Sequence, residues 1–81
     1  MFYAYVLYSP KFKRFYKGQT ENLNIRLNQH NTGRVKSTKA YTPWEIVYFE
    51  EFWQRKDALE RECYFKTAAG RRFLKTKIDL Q

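Results

Sequence analysis

The chain is short of the residues that stabilise small secreted domains and of the apolar runs that cross membranes. Its 81 residues include one cysteine, Cys63, so no disulfide can form within the chain. A small fold without disulfides is typical of a reducing compartment. No apolar run approaches the roughly 20 residues of a membrane helix, and the first residues lack the basic start of a signal peptide. We therefore expect a single soluble domain, residues 1–81, in the cytoplasm.

Several motifs that carry chemistry in other proteins are also missing. The three glycines form no glycine-rich phosphate loop, which argues against an ATP-dependent activity. The sequence has no HExxH, CxxC or GxSxG motif and no paired-carboxylate metal site. One histidine and one cysteine cannot build a zinc site alone. We expect no small-molecule cofactor and interpret Cys63 as a small core residue.

Acidic residues are few, and the resulting charge indicates an anionic partner. Sixteen Lys and Arg stand against eight Asp and Glu, a formal net charge of +8. In a small domain this bias favours nucleic acid first and an anionic membrane second, and no predicted helix has the basic amphipathic pattern of a membrane-surface helix. The simpler alternative is a soluble protein that is merely basic. The basic residues are spread as on a folded surface that contacts several phosphates, in Lys11–Lys17, Arg34–Lys39, Arg55–Arg61 and Lys66–Lys77.

Hydrophobic periodicity predicts an α+β domain of order ββαβα(α). The first strand is apolar on both alternating faces, which predicts a central strand covered on both sides. It pairs with the second strand as a hairpin, so the sheet is small, three-stranded, mainly antiparallel and flanked by helices. Glycines at 33 and 70 are expected to end the first and second helices. The predicted strands are Tyr3–Ser9, Arg14–Gln19 and Glu45–Phe52, and the predicted helices are a first one capped near Asn22 and ending near Asn31, then Gln54–Ala69 and Arg71–Lys77.

The second predicted helix carries a carboxylate on its apolar side. At about 100° per residue, Glu62 lies near the middle of an apolar arc, whereas Arg61 falls on the opposite, polar arc. A carboxylate on a core-facing stripe must be paired, protonated or bound to a metal, because burying it bare is costly. On the pattern alone, a structural ion pair with a core-edge arginine or with Lys66 at i+4 is favoured. The apolar arc consists of Ala58, Leu59, Cys63, Phe65 and Ala69.

The first predicted helix places Arg26 and His30 together on the side that faces the sheet. They are spaced i, i+4 and share the arc of the apolar Leu23 and Leu27. His30 is open to a plain interpretation as a helix-end residue that interacts with the dipole. A guanidinium beside a histidine on an inward edge also suits bidentate phosphate binding.

The predicted hairpin brings tyrosines of two strands near each other. Tyr5 and Tyr16 share a face if odd positions of one strand pair with even positions of the other. A hairpin closed at Pro10-Lys11 would set them directly opposite each other, and a longer loop would shift this register. The alternative is that both are ordinary sheet aromatics.

These residues together resemble the motifs of the GIY-YIG nuclease family, over roughly residues 3–77. The first motif is Tyr5-Val6-Leu7 and the second is Tyr16-Lys17-Gly18, eleven positions later. Arg26 lies in a segment similar to the family's N-L-x-x-R helix, and His30 follows at a place often held by His or Tyr. Glu62 ends a segment similar to the family's A-L-x-x-E.

Other segments resemble the short, stand-alone bacterial members of that family. They are His30–Gly33, Thr42–Trp44 and the stretch from Phe65 to Arg71. The chain departs from some larger relatives after the second motif, where they carry a lysine and this sequence has Gln19.

The resemblance implies a metal-dependent endonuclease that hydrolyses DNA phosphodiester bonds, with DNA repair or recombination as its setting. A single Mg²⁺ or Mn²⁺ would be held by Glu62. Arg26 would bind a nonbridging phosphate oxygen and stabilise the transition state. Tyr5 would act as general base, as a phenolate favoured by nearby cations, with Tyr16 or His30 orienting it or taking its proton. The two tyrosines can exchange these roles.

DNA is the expected partner, together with a protein partner that supplies specificity. The alternative is a non-catalytic or partner-dependent module that binds DNA or RNA, since the charge and aromatic content also suit RNA stacking. We expect phosphate contacts without catalytic duty from six residues, Lys17, Gln19, Lys36, Lys39, Arg71 and Arg72.

Overall fold

The strands form a three-stranded antiparallel sheet with the first strand in the middle, as the computed structural model of residues 1–78 shows. They are β1 (Phe2–Ser9), β2 (Arg14–Thr20) and β3 (Glu45–Phe52), in the spatial order β2-β1-β3. The sequence predicted each strand to within one residue at either end. The central position of β1 is confirmed and explains its apolar residues on both faces.

Helices cover both faces of the sheet and divide the core into two clusters. One face of β1, with Tyr5 and Leu7, packs against α1 (Leu23–Asn31). The other face, with Ala4 and Val6, packs against α2 (Arg55–Phe65) and α3 (Ala68–Lys77). The predicted α+β class and element order are confirmed. No helix within residues 1–78 is long and apolar enough to cross a membrane.

The β1–β2 hairpin turns later than a Pro10-Lys11 closure requires. Tyr16 pairs with Leu7, and Tyr5 pairs with Gly18. The longer loop that the sequence left open is therefore the one present: the two tyrosines are offset by two positions and share a face. The reason is a longer turn in which Lys13 takes a positive φ of 54° and its backbone N–H donates to the Ser9 carbonyl at 2.7 Å.

The break between α2 and α3 lies at Lys66-Thr67, so the prediction that Gly70 ends a helix is wrong. Thr67 caps α3, because its hydroxyl oxygen accepts a hydrogen bond from the Gly70 backbone N–H at 3.0 Å. Gly70 is buried within the first turn of α3. A Cβ there would run into the Tyr64 backbone carbonyl oxygen. Glycine is required for the close approach of two helices and not for a helix end.

The inward face of α2 differs from the predicted one by a rotation about the helix axis. Ala58 and Phe65 are buried as expected, but Leu59, Cys63 and Ala69 are exposed, so Cys63 is not a core residue. Arg61, predicted on the polar arc, is half-buried instead. Its guanidinium donates to both carboxylate oxygens of Glu50, at 2.7 and 3.2 Å, and lies over the rings of Tyr64, Phe65 and Phe73. An arginine with a bidentate partner and aromatic faces replaces an apolar side chain there.

We predict that Gly70→Ala destabilises the fold by about 1–3 kcal/mol, the usual cost of overpacking. The added methyl must push α3 away from the end of α2, and this outweighs the higher helix propensity of alanine. The measurement is the urea midpoint of unfolding. Arg72→Ala, at an exposed position of the same helix, is the control and should change the free energy of unfolding by less than about 0.5 kcal/mol. An unchanged midpoint for Gly70→Ala would contradict this account.

Candidate active site

A buried chain of hydrogen bonds joins Tyr5 of β1 to the loop after α1 through His30. His30 has no exposed surface and Tyr5 retains 2%. The Tyr5 hydroxyl lies 3.0 Å from His30 Nε2, and His30 Nδ1 lies 2.7 Å from Thr38 Oγ1. The expected inward position of His30 is confirmed, and the residue links a strand to a loop instead of capping a dipole.

The proton positions in this chain of hydrogen bonds follow from the Thr38 end. The Thr38 hydroxyl donates to the Val35 carbonyl at 3.3 Å, so its oxygen accepts from the His30 Nδ1–H. A neutral imidazole has one donor and one acceptor, and Nε2 therefore accepts the Tyr5 hydroxyl proton. Burial, and then the charge of Arg26, lower the pKa of His30 to about 4. His30 is therefore neutral at pH 7 and accepts a hydrogen bond from the protonated Tyr5 hydroxyl.

Gly18 makes the position of the Tyr5 ring possible. The two residues face each other across the β1–β2 pair. A Cβ on Gly18 would lie 2.5 Å from the Tyr5 hydroxyl oxygen and 2.7 Å from Cζ, closer than real contacts allow. The glycine of the second motif thus has a packing role, because only a residue without a side chain lets the phenol reach His30.

The surroundings of Tyr5 do not favour its phenolate, contrary to the expectation from the sequence. Burial raises the pKa of Tyr5 to about 12, and this outweighs the opposite effect of Arg26. Tyr16 is only partly buried, with its ring 4.9 Å from the His30 ring and 6.4 Å from the Tyr5 ring, measured between centroids. Of the two tyrosines, Tyr16 is the one nearer to solvent.

Arg26 lies at the open side of this cluster. Contact with the Tyr5 side chain is the main cause that raises the pKa of Arg26, and the nearby Tyr16 acts in the same direction. Its Nη1 donates to Gln29 Oε1 at 3.0 Å, which orients the guanidinium. Arg26 also lines a surface cavity of about 390 Å³ that includes Gln19, Gln29 and Arg55. The guanidinium is therefore fixed by neighbours and open to an anionic ligand.

Glu62 approaches the same cluster from α2 and forms an ion pair. Its side chain is 19% exposed, and Lys66 Nζ donates to its Oε2 at 2.8 Å. The negative charge of Glu62 contributes to the raised pKa of Tyr5. The i+4 ion pair that the sequence left open is present. The Lys66 side chain is 54% exposed, so the pair is a surface one that contributes little stability.

The loop that carries Thr38 is held by residues whose role the sequence did not reveal. The Asn31 side chain accepts from the Trp44 backbone N–H at 2.6 Å and donates to the Trp44 carbonyl at 2.9 Å. The Trp44 indole N–H donates to the Thr38 carbonyl at 2.9 Å. Thr38 is buried, yet nothing in its sequence context distinguishes it from other threonines. The Asn31 and Trp44 positions were noted only as part of segments shared with short family members.

The predicted phosphate contacts fall into three groups. Lys17 and Arg71 line one cavity beside β2 and α3. Gln19 is partly buried, and its Oε1 is buried without a hydrogen-bond partner. The exposed remainder, placed in the loop after α1 and on α3, is Lys36, Lys39 and Arg72.

We predict that the His30 ring titrates near pH 4 and holds one proton, on Nδ1, at pH 7. The unfolded chain protonates near the ordinary value of 6.5, so the stability due to neutral His30 is complete above pH 6.5. It is lost as the pH falls toward 4, to the extent of about 3 kcal/mol. NMR of the ring signals tests this without assignment, because the chain has one histidine. A midpoint near 6.5 would refute the buried neutral base.

Comparison with known proteins agrees with this geometry. A family model described as the GIY-YIG catalytic domain matches residues 1–76. The chain is similar to a UPF0213 protein of Clostridium perfringens, 40% identical over 67 residues that cover 82% of this chain and 71% of that protein. It is also similar to a UPF0213 protein of Limosilactobacillus reuteri, 36% identical over 81 residues, or 96% and 83% of the two chains. No solved structure matches significantly. The chain belongs to the GIY-YIG family.

Proposed function

We propose that this protein is a metal-dependent endonuclease that hydrolyses phosphodiester bonds in DNA. The observation that carries the proposal is the convergence of a tyrosine pair, a histidine, an arginine and a carboxylate from two strands and two helices. A guanidinium, a carboxylate and a partly exposed tyrosine at one open surface, supported from below by a buried neutral histidine, match the demands of phosphoryl transfer, where positioning and charge stabilisation dominate. DNA is the proposed partner because of the net charge of +8. The cytoplasmic location and the role in repair or recombination stay predictions.

The donor set suits a weakly held Mg²⁺ or Mn²⁺. Within residues 1–78 no group of three His, Cys, Asp or Glu side chains is placed to hold a metal, so Glu62 would be the protein ligand. One accessible carboxylate fits an ion that keeps several waters and takes its other ligands from a phosphate. The exposed Lys66 ammonium can leave Glu62 as the ion arrives. When bound, the ion supplies charge neutralisation at the scissile phosphate and the leaving oxygen.

Burial favours Tyr16 over Tyr5 as the general base. Tyr5 is 2% exposed and its hydroxyl already donates to His30, so a substrate water has little access to it. The more accessible Tyr16 is near Arg26 and Lys66, whose pKa values are both raised in part by Tyr16. We therefore assign Tyr16 to the substrate water and make Tyr5 and His30 positioning residues.

Arg26 is the residue we place on the scissile phosphate. Its guanidinium is partly exposed, is oriented by Gln29 and lies next to the Tyr5 side chain. A planar fork of donors can hold a nonbridging oxygen and stabilises the charge that develops in the transition state.

We predict that Glu62→Gln abolishes metal-dependent cleavage while DNA binding survives, because the amide is a poor ligand for a hard cation. A nicking assay with Mn²⁺ measures cleavage and fluorescence anisotropy measures binding. Glu60→Gln, at an exposed position of the same helix, is the matched control and should retain full activity.

The variant Lys66→Ala distinguishes two roles for Glu62, that of a metal ligand and that of a partner in a structural ion pair. If Glu62 serves only the pair, Lys66→Ala and Glu62→Gln lose the same activity, and the metal assignment fails. If Glu62 holds the ion, Lys66→Ala should need no more Mn²⁺ than the unaltered protein. Binding without cleavage in the unaltered protein at any metal concentration favours the alternative function, a non-catalytic or partner-dependent module.

We predict that Arg26→Ala lowers the rate of cleavage by at least about tenfold, which corresponds to about 1.4 kcal/mol in the transition state. Arg26→Lys should recover little, because an ammonium cannot bind a phosphate through two parallel hydrogen bonds. The measurement is single-turnover cleavage with saturating protein. Arg34→Ala, at an exposed loop position, controls for loss of one positive charge. A loss below tenfold for Arg26→Ala would remove it from the chemistry.

A further inference from the structure

A second cavity lies between β2 and α3, on the face of the sheet opposite the candidate active site. Its volume is about 350 Å³, and its lining combines apolar and basic side chains with no carboxylate. The basic lining residues are Lys17 of β2 and, spaced i, i+4 on α3, Arg71 and Lys75. The apolar ones include Leu74, which is almost buried, and Phe15, which is 45% exposed. The third apolar lining residue is Ile78.

The positive charges around this cavity are held close together. Burial lowers the pKa of Lys17, and the charges of Arg71 and Lys66 lower it further. Of these cations, Lys66 has a carboxylate partner, Glu62. Clustered cations repel one another, and an anionic ligand relieves that repulsion. The cluster therefore favours binding of an anion at the cavity rim.

The apolar residues that line the cavity indicate a ligand that has an apolar part as well as a phosphate. The Phe15 ring packs against the Tyr8 ring, 4.8 Å away between centroids, and nearly half of its surface is exposed. The Lys17 ammonium lies 5.9 Å from the Phe15 centroid. An exposed aromatic ring beside a cation is the arrangement on which nucleobases stack in proteins that bind single strands.

The cavity lies across the edge strand β2 from the site of the proposed chemistry. Phe15 and Lys17 alternate with Tyr16 along β2, so their side chains point to the face of the sheet that α3 covers. Lys66, the partner of Glu62, is near enough to affect Lys17 and to be affected by Tyr16. A strand with its phosphate at Arg26 and Glu62 would reach the cavity by passing around the edge of β2, past Lys66.

We propose that the cavity between β2 and α3 is a nucleotide subsite, in which one base of the cleaved strand stacks on Phe15 and its phosphates contact Lys17, Arg71 and Lys75. This inference rests on the proposed nuclease function and names how its substrate is held. The base faces of a duplex are covered by their neighbours, so the base in the subsite is unpaired or turned out of the helix.

The test compares two oligomers of equal length and charge that differ only in their bases. One is a fluorescent oligothymidylate, and the other carries abasic tetrahydrofuran units throughout. Anisotropy of the full chain in EDTA measures both affinities without cleavage. We expect at least about fivefold tighter binding to the oligothymidylate, the lower end of what one stacked base contributes.

Two phenylalanines provide the matched comparison. Phe15→Ala should remove the preference for the base-containing oligomer, and Phe15→Tyr should keep it. Phe49→Ala, with 46% exposure on the opposite edge strand, should keep it too. Lys17→Ala should weaken binding to both oligomers equally and reduce the salt slope by about one. Thermal melts establish that each variant is folded.

Three results would overturn the subsite: equal binding of the two oligomers, a preference that survives Phe15→Ala, or one lost equally in Phe49→Ala. Binding to phosphatidylglycerol vesicles that depends on Phe15, with no base preference, would make the cavity a lipid site. Cleavage is scored separately in Mn²⁺. A preference for the base-containing oligomer without cleavage would refute the proposed nuclease function and support the subsite. Cleavage without that preference would support the nuclease function and refute the subsite.

Discussion

The contact of the Tyr5 ring with the backbone of Gly18 is the constraint on which the candidate site depends. It lets a bulky residue on the central strand lie across β2 and extend its hydroxyl to His30. His30 is then held from the other side by Thr38, on a loop anchored through Asn31 and Trp44. Strand, helix and loop are thus joined by one buried polar chain whose groups all have partners, which is the condition for burying such groups at low cost.

This buried chain and the open cluster beside it have opposite electrostatic character. The interior holds a neutral imidazole and a protonated phenol, since burial moves their pKa values away from pH 7 in the directions that disfavour charge. The charged groups, Arg26 and Glu62, are at the rim, where both side chains are partly exposed. The buried neutral groups therefore form a rigid support for Arg26 and Glu62, which in the proposed function release their present partners to bind substrate or metal. Tyr16 lies between the two regions, which is why we place the proton transfer from water there.

Residues whose environment depends on one element were predictable from the sequence, and residues that depend on two elements were not. The apolar residues within each segment predicted all three strands, because which residues of a strand face the core follows from the sequence of that strand alone. Helical periodicity likewise placed His30 and Glu62 on inward faces. The hairpin register depended on the turn, where Lys13 adopts a positive φ. The role of Gly70 depended on where two helices cross, and periodicity within one helix carries no such information.

The side chains around Glu62 show how chemistry overrides a hydrophobic pattern. Periodicity assigned Cys63 to the core and Arg61 to solvent, whereas Arg61 is half-buried against Glu50 and Cys63 is exposed. A guanidinium with a bidentate carboxylate and aromatic neighbours is as acceptable on an inward face as a leucine. Thr38 lay beyond sequence reasoning because its partner is eight residues away on a different element.

The proposed function has to reconcile a single carboxylate with a strongly basic chain. A net charge of +8 repels a divalent cation, and Lys66 already neutralises Glu62. Both obstacles are removed by the same event, because a bound DNA strand brings phosphate charge that attracts the cation and offers a new partner to the lysine. The ion then gains ligands from the phosphate that the protein lacks. On this account the weak metal site is a consequence of the small basic fold, and the ion is held only when substrate is in place.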